Sequence, residues 1–344
     1  MVQKKVLLLL LKVINMNIKK WLLALIMMGS MGCQSQTAPK MTEKNNNPLL
    51  CDPKKGICEI PDSSAANGKL AVSGQEKAVK VLYFTDPICS SCWGIEPQLR
   101  KLKLEYGNDL QIEYHMGGLL PNWSYNSGGI SKPADVAVHW DEVSHYYDMP
   151  IDGDVWLEDP LSSSYPPSIA VKAAQLEDEK KAVLFMRRIR EMVFLEKKNI
   201  TKWEHLAAAA TECGLDAVAM KRDYESVAKE AFRKDLELTK KMGVRGFPTL
   251  YFVGKDGKQV VINGYKPYKA FEDAVLKCAP AAAKMNYEKD WQHLFDHYRT
   301  LTRKEYAELS NVTVAAAEKT LNELTQNNKL KAVTTKNGKL WMRK

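Results

Sequence analysis

No stretch of this 344-residue chain reaches the roughly 18 to 20 apolar residues that a bilayer-spanning helix needs. The two best runs, Val6 to Leu11 and Trp21 to Met28, are short and are interrupted or flanked by Lys12, Lys19 and Lys20. A second Cys or His pair at zinc-ligand spacing is also missing. Cys89-Ser90-Ser91-Cys92 therefore has no convincing second half of a four-ligand metal site. The body of the chain lacks net charge as well. Of the total of +9, residues 1–32 hold five Lys and no acid, and residues 285–344 hold 11 basic and 7 acidic side chains. The remainder carries 34 of each sign, so basicity gives no argument for nucleic-acid binding by the main domain.

The amino-terminal segment reads as a secretory signal. Lys19-Lys20, an apolar run and then Gly29-Ser30-Met31-Gly32-Cys33 have the order of a bacterial lipoprotein signal, with Cys33 the acylated residue. Ser30 stands where such signals usually carry Leu, and Met16 begins a complete signal on its own. The expectation is an exported chain, periplasmic or otherwise in the cell envelope, held to the membrane by lipid on Cys33. Six cysteines then remain in an oxidising compartment. Cys51 and Cys58 flank Asp52-Pro53-Lys54-Lys55-Gly56-Ile57, where Pro and Gly favour a turn that brings them together as an accessory disulfide. Cys213 and Cys278 lie in helical patterns and read as small buried apolar residues. Whether they pair is not readable.

Residues 34–76 are polar and aperiodic, as a tether is. Val79 to Thr85 then reads as a buried strand, Glu96 to Tyr106 as a helix and Leu110 to Met116 as an alternating strand. Gly117 to Pro167, rich in Gly, Pro, Trp and Tyr, follows no period. Ser168 to Lys240 is helical, with Asp216 and Asp235 as helix-start residues. Pro248 to Val253 and Lys258 to Asn263 form a hairpin around an Asp-Gly turn, and Lys266 to Cys278 closes with a helix. The order is strand, Cys-x-x-Cys helix, strand, helical insertion over about 118–243, strand, strand, helix. This predicts an α/β domain of the thioredoxin fold over 77–284. Residues 285–344 read as two helices and a hairpin, a small winged-helix-like module. Export makes it an interaction module with no nucleic-acid partner.

The Cys-x-x-Cys motif follows a strand and opens a helix, and a helix N-terminus stabilises a thiolate. Ser90 and Ser91 offer small uncharged donors, implying a reduction potential between those of strong oxidants and strong reductants. Asp86 and Glu96 flank the motif and could relay a proton to or from Cys92, or serve as capping or solvated carboxylates. His139, Asp141, Glu142 and His145 converge only in part on one helix face, so they are read as packing of the insertion, with no metal assigned.

Cys89-Ser90-Ser91-Cys92-Trp93-Gly94 together with Gly246-Phe247-Pro248-Thr249 resembles the DsbA-like branch of the thioredoxin superfamily. Met116-Gly117-Gly118-Leu119, His139-Trp140, Gly153-Asp154-Val155-Trp156 and Asp159-Pro160 to Ser164-Tyr165-Pro166 resemble its FrnE- and SpxH-like subgroup, over about 77–280. The resemblance implies that Cys89 is an exposed nucleophile and Cys92 the buried resolving thiol. It implies a cis Pro248 that holds Phe247 against the disulfide, where its backbone pairs with a substrate strand. Phe247 stands where the branch usually carries Val or Thr. Trp93 would shield the disulfide and form substrate surface. The implied activity is thiol–disulfide exchange with protein cysteines, with a redox partner protein and no cofactor. Its direction is not readable. The alternative is a non-catalytic adaptor or chaperone-like module using the same cleft. The Cys51/Cys58 pair is expected to exchange with the active site.

Overall fold

The computed structural model describes residues 51–52, 55–59, 76–124 and 132–344. The signal, Cys33 and most of the tether lie outside the described residues. Two short strands, β1 (Cys51–Asp52) and β2 (Ile57–Glu59), come first as an antiparallel hairpin. β3 (Val79–Thr85) follows and is buried at every position but Lys80, as its near-continuous apolar run requires of a strand covered on both faces. After it come α1 (Ser90–Gly94) and α2 (Glu96–Tyr106), then β4 (Leu110–Met116), which pairs parallel with β3.

The insertion supplies α3 (Pro133–Tyr147), α4 (Val155–Glu158), α5 (Tyr165–Glu177), α6 (Glu179–Leu195), α7 (Trp203–Glu212), α8 (Ala217–Glu225) and α9 (Val227–Lys241). The chain returns through β5 (Gly246–Phe247), β6 (Thr249–Gly254), β7 (Gln259–Asn263) and α10 (Tyr268–Cys278). The main sheet has the order β4-β3-β6-β7, with β6 antiparallel to both neighbours. This is the thioredoxin fold with a helical insertion, as the element order predicts.

Asp216 caps α8 by accepting from the Val218 and Ala219 amides. Asp235 does not start a helix. It lies inside α9, nearly buried, because its carboxylate is taken up by His115 Nδ1 at 2.9 Å, Lys172 at 2.9 Å and the Met116 amide at 2.8 Å. That tertiary pairing outweighs the preference of Asp for helix starts. The aperiodic stretch is organised by aromatic packing, with Trp123 and Trp140 each meeting Trp156 edge to face.

The last residues form α11 (Trp291–His297), β8 (Thr300–Thr302), α12 (Arg303–Ser310), α13 (Val314–Gln326), β9 (Leu330–Thr335) and β10 (Gly338–Arg343), with sheet order β8-β10-β9. A core of its own includes Leu301, Leu309, Leu321, Leu330 and Trp341, joined by Leu104 of α2. The module is also fastened to the thioredoxin body. Fully buried Glu305 accepts from Arg187 at 2.8 Å and lies 3.3 Å from Arg100. Lys336 and Asn337, in the β9–β10 turn, bind Asp141 of α3.

Candidate active site

Cys89 is the N-cap of α1, with its Sγ accepting from the Cys92 amide at 3.1 Å, and it is disulfide-bonded to Cys92 across a Cα separation of 5.2 Å. An amide donor at a helix start is the environment that favours a thiolate after reduction. The Phe247–Pro248 bond is cis. The Thr249 hydroxyl holds this loop by donating to the Gly246 carbonyl at 2.7 Å, and the Gly264 amide donates to the Pro248 carbonyl at 2.8 Å.

The aromatic Phe247 fits because its ring lies over Gly117. A Cβ at position 117 would stand 1.7 Å from the Phe247 ring. Gly117→Ala is therefore expected to destabilise the protein by roughly 1 to 3 kcal/mol through overpacking, read as a lower urea midpoint. An unchanged midpoint would show that the ring moves aside freely.

Trp93 is not surface. It is fully buried, donates from Nε1 to the Pro150 carbonyl at 3.0 Å, stacks on Phe194, and has the Arg187 guanidinium 4.2 Å from its ring centre. Its part is to seat the motif helix, because the insertion and α6 close over it. Ser91 shares a 2.7 Å hydrogen bond with the Tyr147 hydroxyl, so that serine is committed to α3. Ser90 is buried too.

Glu96 is gripped by Arg190 at 2.7 Å, with Arg100 and Arg187 within 4 Å. Arg190, itself fully buried, also donates to the Thr85 hydroxyl at 2.6 Å and the Asp86 carbonyl at 3.2 Å, clamping the turn that leads into Cys89. No local signal marks Arg190, which lies about a hundred residues away in the chain. Asp86 is fully buried. Its carboxylate accepts from the Ile88 and Leu119 amides and the Ser164 hydroxyl. Burial pushes its carboxyl up to about 6, outweighing those three donors.

A carboxyl raised in the folded state favours folding most below the unfolded value of 3.8. That contribution is lost as pH rises through about 6. Asp86→Asn removes this dependence. From pH 4 to pH 7 the stability difference is expected to move in the variant's favour by up to about 3 kcal/mol. A difference that stays flat with pH would refute the assignment.

Among the remaining thiols, Cys213 and Cys278 are free. Burial pushes Cys213 up to about 11 and raises Cys278 as well, so neither is poised as a nucleophile. His139 is largely buried, which lowers it to about 4, and Asp141 is occupied by the β9–β10 turn. Cys58 is disulfide-bonded, and Cys51, whose side chain lies outside the described residues, faces it in the β1–β2 register.

Cys89 itself is fully buried where an exposed nucleophile was expected. β2 lies antiparallel on β5, Cys58 opposite Phe247 and Glu59 opposite Gly246, and Cys58 Sγ sits 3.6 Å from Cys89 Sγ.

Residues 82–273, more than half of the chain, match the family model described as thioredoxin. The ClpXP adapter protein SpxH of Halalkalibacterium halodurans is 34% identical over 303 residues, covering 86% of this chain and 98% of that protein. The chain belongs to the SpxH family of thioredoxin-fold proteins. Its SpxH relative from Bacillus subtilis is 28% identical over 271 residues, covering 77% of this chain and 89% of that protein. A solved structure of a candidate protein disulfide isomerase from Nitrosomonas europaea superposes with a TM-score of 0.51 at 22% identity, over 58% of this chain and 96% of that one. That likeness is one of fold, and it spans less of the chain than the SpxH relatives do.

Proposed function

We propose that this chain is an exported thiol–disulfide oxidoreductase acting on protein cysteines. The observation that carries the reading is the Cys89–Cys92 pair at a helix start, with β5 and the cis proline beside it and a strand docked on that edge. In exchange, the Cys89 thiolate attacks a partner disulfide, or a partner thiolate attacks Cys89 Sγ, and a mixed disulfide forms at Cys89. In the first case Cys92 then attacks Cys89 Sγ and releases the partner as a thiolate; in the second Cys92 leaves as the thiolate, and a second partner thiolate attacks the partner sulfur of the mixed disulfide and frees the Cys89 thiolate. Asp86, ionising near neutrality in the turn just before Cys89, is the buried carboxyl suited to holding a proton during these steps. Export and a lipid anchor at Cys33 are supported by the basic, apolar and small-residue order of residues 19–33 and by the disulfides at Cys58 and Cys89–Cys92.

A second reading has its own support, since SpxH relatives matched over nearly their whole length are named ClpXP adapters. In it the cleft binds a protein partner without turnover. Reduced Cys51→Ala/Cys58→Ala/Cys92→Ala protein, whose hairpin holds no thiol that could displace a peptide, separates the two when mixed with an excess of a disulfide-bearing peptide. The oxidoreductase accumulates peptide on Cys89, seen as a mass increase mapped to that residue. A protein that binds its partners yet never carries peptide on Cys89 supports the adaptor and sinks the enzyme.

A further inference from the structure

The β1–β2 hairpin occupies the place of an exchanging partner. Its strand pairs with β5 immediately before Pro248, through Cys58 opposite Phe247. A second anchor is the Tyr265 amide, which donates to the Gly56 carbonyl at 2.6 Å. Gly246 is what lets the strand approach, because a Cβ there would stand 2.4 Å from the Cys58 carbonyl oxygen. In this arrangement the Cys58 and Cys89 sulfurs are 3.6 Å apart and both are fully buried. Both sulfurs are already in disulfides, so the contact is between two disulfide sulfurs rather than a thiol hydrogen bond. While the hairpin is seated, no outside protein reaches Cys89.

We propose that the Cys51/Cys58 hairpin is a tethered substrate of the active site, with Cys58 the sulfur that Cys89 attacks. The inference rests on the oxidoreductase reading and deepens it. With the hairpin lifted off β5, a partner dithiol reduces Cys89–Cys92 and leaves as a disulfide, and the hairpin then reseats. The Cys89 thiolate then attacks Cys58 Sγ, the bond from Cys58 to Cys51 breaks, and Cys51 leaves as a thiolate and takes up a proton. Cys92 attacks Cys89 Sγ, which restores Cys89–Cys92 and releases Cys58 as a thiolate that is protonated in turn. Two electrons and two protons have passed from the active-site pair to the hairpin, and no further oxidant enters the transfer. Groups held in register react as if at an effective concentration of about 10⁵ M or more, so the tethered sulfur outcompetes dissolved partners while the hairpin is seated.

The test uses the full chain carrying Cys51→Ala and Cys92→Ala, which leaves Cys58 and Cys89 as the reactive pair, oxidised mildly with glutathione disulfide. Peptide mapping without reductant is expected to find the Cys58–Cys89 link at least 10-fold above the Cys51–Cys89 link formed by Cys58→Ala/Cys92→Ala protein. Circular dichroism of both variants establishes that they are folded. Separate glutathione adducts on Cys58 and Cys89 without an internal link would overturn the inference, as would equal yields of the two links. Turnover of a model dithiol peptide by Cys51→Ala/Cys58→Ala protein keeps the two readings apart. Turnover there with no Cys58–Cys89 link in the first variant overturns the tethered substrate and leaves the oxidoreductase standing. No turnover in either this protein or the wild type overturns both.

Discussion

Cys89→Ser protein is expected to lose exchange with a model protein disulfide by a factor on the order of 10³ or more, the scale on which removing a covalent nucleophile acts. A serine hydroxyl keeps its proton under conditions where a thiol at a helix start gives its proton up. The Cys92 amide at 3.1 Å then has no anion to stabilise. Cys92 is a poor replacement, because it lies inside α1 and lacks the N-cap position at which the Cys89 sulfur accepts a main-chain amide. The measurement is turnover of the model disulfide by wild type and variant at equal concentration. A variant that keeps a tenth or more of the wild-type rate would remove Cys89 as the nucleophile, whereas no exchange by the wild type would leave the adaptor reading in possession of the cleft.

Glu305→Ala should lower stability by about 3 to 5 kcal/mol, the usual cost of stripping one partner from a buried ion pair. The carboxylate is fully buried, with Arg187 at 2.8 Å and Arg100 at 3.3 Å, so its loss leaves two buried guanidinium groups under-compensated, Arg187 keeping Glu191 and Arg100 keeping the Thr300 carbonyl. A drop in melting temperature on the order of 10 °C follows. Burial by itself would raise the Glu305 carboxyl, but Arg100 and Arg187 overcome that and hold it below its ordinary 4.5. Its contribution is therefore present above that pH and is lost as pH falls through the folded value. Arg187 also lies over the Trp93 ring, so the same substitution should loosen the motif helix. A variant within 1 kcal/mol of wild type would show that the module is seated by its apolar contacts alone.

Local patterns made much of this molecule legible. Val79–Thr85 and Leu110–Met116 were readable to the residue, because an apolar run and a clean alternation are both signals of period two or less. Thr302 and Thr313 cap the last two helices, close to where hydroxyls before periodic segments predict helix starts. The Cys89–Cys92 pair and the Gly246-Phe247-Pro248 loop were legible as motifs.

What escaped depends on distance along the chain. Asp235 looks like a helix start, yet His115 and Lys172 claim its carboxylate from elsewhere. Trp93 looks like surface until Phe194 and Arg187 cover it. The turn between Cys51 and Cys58 suggests that they meet, but nothing near them says that β2 will lie on β5, nearly two hundred residues later.

β5 itself is only Gly246 and Phe247 long. A visiting peptide gains a handful of main-chain hydrogen bonds there, each contributing about 1 kcal/mol net. So little binding energy cannot hold a partner for long or select its sequence. In the proposed exchange, release is correspondingly fast, and the covalent bond to sulfur, rather than the strand pairing, sets how long a partner stays.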